Sequence, residues 1–309
     1  MSEKSYSSRA IWSWMLYDFA NSPFTTLVVT FIYAAYFTQA IAPDEIRGTA
    51  LWSRGVTITA LVVALLSPIV GAVADRGGFR KLFLLISTAV CVVTTTALFS
   101  VLPGEVMTAL AIFVVANVAF EMGMVFYNAF LPDIAPPDRI GRISGYGWGL
   151  GYLGGLLALA CALVMFVQPE VPMFGFVKEA GENIRASNLL VAAWFALFSL
   201  PNFLLVKEDK SRVTKGGGIL DASFKQLAGT FREIKRYRQI IRFLIARLIF
   251  NDGLITVFAF GGIYAAGTFG FDFEELLIFG IAINVAAGSG AFLFGRIDDK
   301  LRKILLVTN

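Results

Sequence analysis

Three groups of polar side chains lie where the sequence is otherwise apolar, and these are the residues able to do chemistry. Asp18, Asn21 and Thr25 stand at i, i+3 and i+7, one stripe of a helix, with Tyr17 beside them. Asn117, Glu121 and Asn128 stand at i, i+4 and i+11, a second stripe. Asn251 and Asp252 form a third group, early in a later apolar run, in the position that Asp18 holds in the first. An ionisable group at the centre of a bilayer costs at least ~2.5–3.5 kcal/mol, so such residues face a polar interior and mark a path for solute or protons. A carboxyl carried in a span without a cation beside it can load and release a proton as its access alternates. Glu121, near the middle of its run and so as deep as a residue can be, is the first candidate for that role. The competing structural reading makes all three groups hydrogen-bonded contacts between helices, or pairs a carboxyl with Arg247.

Other chemistry is excluded or left unsupported by residue type. The chain has no histidine, which removes imidazole catalysis, a histidine zinc site and an imidazole proton relay. Cys91 and Cys161 fall inside apolar runs as small buried hydrophobes. No cofactor or metal site is expected. A Gly-x-Gly-x-x-Gly match at Gly149, Gly151 and Gly154 lacks the preceding strand of a dinucleotide fold. An intramembrane enzyme acting on a lipid-linked substrate through Asp18 and Glu121 has no motif behind it.

The elements that must position these groups are membrane spans. Hydrophobic residues make up 57% of the 309 and charged residues 16%, against about 25% charged in a soluble domain. Mean hydropathy is +0.72. Apolar runs at about 10–42, 55–74, 82–103, 106–130, 143–167, 186–206, 243–270 and 276–295 each approach or exceed the ~20 residues a helix needs to cross ~30 Å. Residues 304–309 read as the start of a ninth. The predicted class is all-α, a polytopic membrane helical bundle. With the amino terminus inside, 21 lysines and arginines fall in inner loops and four in outer ones. The +4 net charge therefore reflects topology rather than nucleic acid. Membrane lipid and a small-molecule solute are the expected partners, and the oligomeric state is left open.

Six spans precede a charged inner segment, giving predicted divisions of 1–206, 207–242 and 243–309. Within the middle segment Gly216–Gly218 forms a flexible joint. Phe224, Leu227, Phe231 and Ile234 then share a face of a basic amphipathic helix. In the fifth span Gly147, Gly151 and Gly155, and a second row of Gly141, Gly145 and Gly149, predict close helix packing, with Gly288-Ser-Gly290 as a partner surface.

Two charged stretches match. Gly71, Asp75, Arg76, Arg80 and Lys81 are echoed by Gly295, Asp299, Lys300, Arg302 and Lys303, with Asp299 falling 224 residues after Asp75. Each follows a span, and together they predict two similar halves with a switch at the inner mouth of each. The simpler reading is that Asp75 caps a helix while the bases obey topology.

The first of these turns resembles the signature loop of the major facilitator superfamily. Within it, Trp14–Phe24, Tyr127–Ile134 and Gly141–Gly155 resemble the vacuole-effluxer family, which takes in autophagy-related amino-acid effluxers and bacterial relatives. The resemblance, through residues 10–303, implies twelve helices in two six-helix bundles with alternating access around a central site. It implies a gating role for Gly71, Asp75, Arg76, Arg80 and Lys81. Against that pattern the chain is expected to be incomplete, ending inside the ninth helix. The expected function is secondary transport of a small polar solute, an amino acid by resemblance, by proton-coupled efflux. A lipid or glycolipid flippase of the same fold and an inert truncated product are the alternatives. The expected location is a bacterial inner membrane, or a vacuolar endomembrane in a eukaryote, with the amino terminus cytoplasmic.

Overall fold

Lipid offers the backbone no hydrogen-bond partner, so the apolar runs close their own bonds as helices. The computed structural model describes residues 6–208, 229, 238–270 and 273–307, with side chains described for all of these except 180, 255–267, 273–278, 280 and 302–307. Eight long helices carry the described chain: α1 (Ser8–Ile41), α2 (Glu45–Gly77), α3 (Arg80–Ser100), α4 (Val106–Ile134), α5 (Ile140–Val167), α6 (Glu182–Leu205), α7 (Arg238–Phe269) and α8 (Phe273–Val307). The first six are long and apolar enough to cross a membrane, and no strand occurs among the described residues. The amphipathic helix expected around Phe224–Ile234 lies outside the described residues.

Helix boundaries follow local chemistry. Ser7 caps α1 by accepting from the Ala10 amide, and Asp44 caps α2 by accepting from the Arg47 amide at 2.8 Å. α2 ends on Gly78 in the left-handed conformation at φ +65°, which glycine adopts without Cβ strain.

Proline shapes the middle of α1. Pro23 has no N–H to give the Phe19 carbonyl one turn earlier, and the following stretch Phe24–Phe31 is π-helical. That freed carbonyl accepts from the Trp194 indole of α6 at 3.1 Å. α5 meets the same carbonyl with Gly154, where any Cβ would collide with it. Trp194→Phe should therefore lower unfolding stability in mixed micelles by about 1–2 kcal/mol, since it strands a buried acceptor.

By its contacts the chain divides into two units, Met1–Thr214 with Gly288–Asn309, and Lys215–Ala287. This differs from the division by composition, because the end of α8 belongs with the first unit. The reason is packing: Gly295 of α8 lies against the Gly141 carbonyl and Gly145 Cα of α5. The core of the first unit is aromatic, with Trp14, Tyr17, Tyr127, Phe24, Tyr33, Phe113 and Phe130 fully buried. In lipid such burial stabilises through close packing, because acyl chains are as apolar as the core.

Candidate solute pathway

Asp18 sits where α1, α4 and α5 meet. The Trp14 indole donates to the Tyr127 carbonyl at 3.0 Å, and the Tyr127 hydroxyl donates back to the Trp14 carbonyl at 3.1 Å. Their rings stack at 4.5 Å, and Tyr17 stacks on the other side of Tyr127 at 4.9 Å. The Tyr17 hydroxyl shares a hydrogen bond with Thr88 of α3 at 2.8 Å. Tyr17 is thus turned into the core. Beside this stack Asp18 is 6% exposed. One carboxylate oxygen accepts from Asn21 at 3.4 Å, and the other has no hydrogen-bond partner among the described residues. Gly147 closes over it, since a Cβ there would lie 3.1 Å from that oxygen. Asn21 also reaches the Met124 sulfur of α4 at 3.5 Å, so the α1 stripe is tied to the α4 stripe. Gly151 and Gly155 face Ser22 and Thr26, which keeps α5 close along this seam.

The α4 stripe is split by depth of packing. Asn117 is buried, while Glu121 and Asn128 are exposed. Asn128 spends its amide on the Met124 carbonyl of its own helix at 2.8 Å. Glu121 lies midway along α4, as expected, but position along the run sets only depth in the membrane, and the face of the helix sets burial. Asn251 and Asp252 lie exposed on α7, in the other unit.

The first charged stretch forms a tight turn between α2 and α3. Arg80 bonds Asp75 at 2.5 Å and Asp133 of α4 at 2.9 Å, while its amide donates to Glu208 at 2.7 Å. Lys81 donates to the Val206 carbonyl at 2.8 Å. Arg76 is half-buried, and Gly71 has open space around it. The guanidinium therefore joins α2, α3 and α4, and the chain leaving α6 is held by the same residues. Arg80→Gln removes the ion pair from Arg80 to Asp133, whose side chain is 8% exposed, and the one to Asp75. We expect a loss of about 2–3 kcal/mol in detergent unfolding, largely restored by Arg80→Lys.

The second charged stretch is no turn. α8 runs unbroken through Gly295–Lys300, because Leu301 and Arg302 stand where the first copy has the chain-reversing Gly77-Gly78. Its charges meet α5 instead. Asp299, buried, pairs with Arg142 at 3.4 Å, Arg296 donates to the Tyr146 hydroxyl at 2.8 Å, and Lys300 is exposed. The row Gly141, Gly145 and Gly149 admits this helix, facing Asp298, the Ala291 carbonyl and Phe292 in turn.

Three further charged residues escaped sequence reasoning, although a signal for two of them existed. Asp133 falls in the last turn of α4 and Arg185 near the start of α6, each against the helix dipole, and such a placement calls for a partner elsewhere. Arg185 finds the Phe99 and Val101 carbonyls at 2.8 and 3.2 Å, closing the carboxyl-terminal end of α3. Glu208 carried no comparable mark.

Comparison with known proteins agrees with this architecture. A family model described as "Vacuole effluxer Atg22 like" matches residues 41–306. The MFS-type transporter YxiO of Bacillus subtilis is 29% identical over 93% of this chain and 67% of its own length. Autophagy-related protein 22 of Yarrowia lipolytica is 22% identical, over 79% of this chain and 53% of its own. The chain thus spans about two thirds of the bacterial relative and about half of the fungal one. Among solved structures, the proton:xylose symporter XylE superposes with a TM-score of 0.64 at 12% identity, covering 93% of this chain and 68% of XylE.

Proposed function

Because the chain belongs to the vacuole effluxer Atg22-like family of the major facilitator superfamily, we propose that it serves secondary active transport of a small polar solute, an amino acid moved by proton-coupled efflux. The observation that carries this reading is Glu121, an exposed carboxyl midway along a 29-residue apolar helix. Such a group is too costly to leave against acyl chains, so its face of α4 borders water. Asn128 shares that exposed face and offers its amide oxygen to a zwitterionic solute, while Asn117 on the same stripe stays buried. Asp18 and Asn21 hold the wall behind it, and Asn251 and Asp252 form a separate polar group on α7. The Asp75–Arg80–Asp133 cluster and the Asp299–Arg142 pair act as inner-end latches that open and close with access. The amino terminus is cytoplasmic in this reading, and the membrane is the bacterial inner membrane, with 207–242 linking two bundles.

The test is counterflow in proteoliposomes. Vesicles preloaded with unlabelled amino acids should take up the labelled counterpart faster than protein-free vesicles, and an imposed proton gradient should drive accumulation. Equal uptake with and without protein rejects the reading. One feature favours a flippase as second reading: an apolar groove of about 380 Å³ among α2, α3 and α4, bordered by Val70, Phe83 and Val114. Movement of a labelled lipid between leaflets, without amino-acid counterflow, selects it.

A further inference from the structure

A second groove, at the amino-terminal end of α1, has no part in the solute pathway. Its volume is about 420 Å³, and Arg9, Trp12 and Leu16 of α1 line it with Leu150 of α5 and Pro201 and Leu205 of α6. Arg9 and Trp12 are exposed, Trp12 at 62%. Arg9 makes no ion pair among the described residues. Arg9, Trp12 and Leu16 stand at i, i+3 and i+7, so one helix face passes from cation through indole to alkyl chain. At 1.5 Å per residue this gradient covers about 10 Å.

That order matches a phospholipid read from phosphate to acyl chain. Indoles settle at headgroup depth, and a basic side chain near the surface attracts anionic lipid. The floor of the groove, Leu16, Leu150, Pro201 and Leu205, is apolar and suits a methylene chain. A second cation, Lys207, is exposed two residues beyond Leu205. This end of the bundle is the one that the lysine and arginine asymmetry assigns to the inner face, where anionic lipid concentrates.

We propose that this groove binds one anionic phospholipid of the inner leaflet, with its phosphate on Arg9, its glycerol region under Trp12 and an acyl chain along Leu16, Leu150, Pro201 and Leu205. Native mass spectrometry of the purified chain, with phosphatidylglycerol and phosphatidylcholine of identical acyl chains, tests it. One phosphatidylglycerol should be retained in preference to phosphatidylcholine. Arg9→Gln should cut that preference about fivefold, and Arg9→Lys should restore it. Trp12→Ala should weaken both lipids. Equal retention of the two lipids by the unsubstituted protein overturns the proposal, as does an unchanged preference in Arg9→Gln. Displacement by glycerol 3-phosphate alone also overturns it, since the ligand is then a free phosphate. Both side chains are exposed, so an unchanged melting temperature is expected for each variant, and transport activity has no bearing on the outcome.

Discussion

Glu121→Gln should abolish amino-acid accumulation driven by an imposed proton gradient, down to the level of protein-free vesicles, while exchange of solute for solute continues at the unsubstituted rate. Glutamine keeps the shape of the side chain and its capacity to hold a polar solute, and removes only the proton that the carboxyl carries. Exchange needs no net proton movement, so the two measurements separate coupling from binding. Asp18→Asn is the paired experiment. Asp18 is enclosed by Gly147 and accepts from Asn21, and an amide in its place can still accept through its oxygen. Accumulation should survive that change. Coupling that persists in Glu121→Gln, or that disappears in Asp18→Asn alone, would transfer the proton to the α1 carboxyl.

Gly154→Val should prevent a stable fold, with a loss of at least ~3 kcal/mol in mixed-micelle unfolding or no monodisperse protein at all. A Cβ at Gly154 meets the Phe19 carbonyl and lies 3.0 Å from the Phe19 Cα, and backbone cannot step aside as a side chain can. Displacing α5 to make room would also break the Trp194 bond to that carbonyl and open the cover over Asp18. Two other glycines serve as controls. Among the described residues Gly290 has nothing nearer than Phe294 at 4.0 Å, so Gly290→Ala in the interior of α8 should not destabilise and should add about 0.5–1 kcal/mol. Gly71 has open space, and Gly71→Ala should add about 0.5–1 kcal/mol by relieving helix-interior glycine. If Gly71 works in gating, that stabilised variant should transport more slowly. Gly154→Val melting like the unsubstituted protein would refute the packing described for α1 and α5.

The hydropathy of the chain determined that it is a bundle of membrane helices, and roughly where each begins, because in lipid a helix satisfies its own backbone and needs no neighbour to do so. The turn at Gly77-Gly78 was legible for the same local reason, and so was the small-residue face of α5. The matched stretch at Gly295–Lys300 misled, since likeness of charge spacing hid the missing glycine that reverses the chain. Tertiary structure alone decided which carboxyl is enclosed. Position in the sequence fixes depth along the membrane normal, and by depth Glu121 had the stronger claim. Burial depends on which way a helix face turns, and that angle is set by partners far along the chain: Gly147 over Asp18, Met124 beside Asn21, Asp133 on Arg80. Such pairings join residues that share no local pattern, so only the packed bundle brings them together.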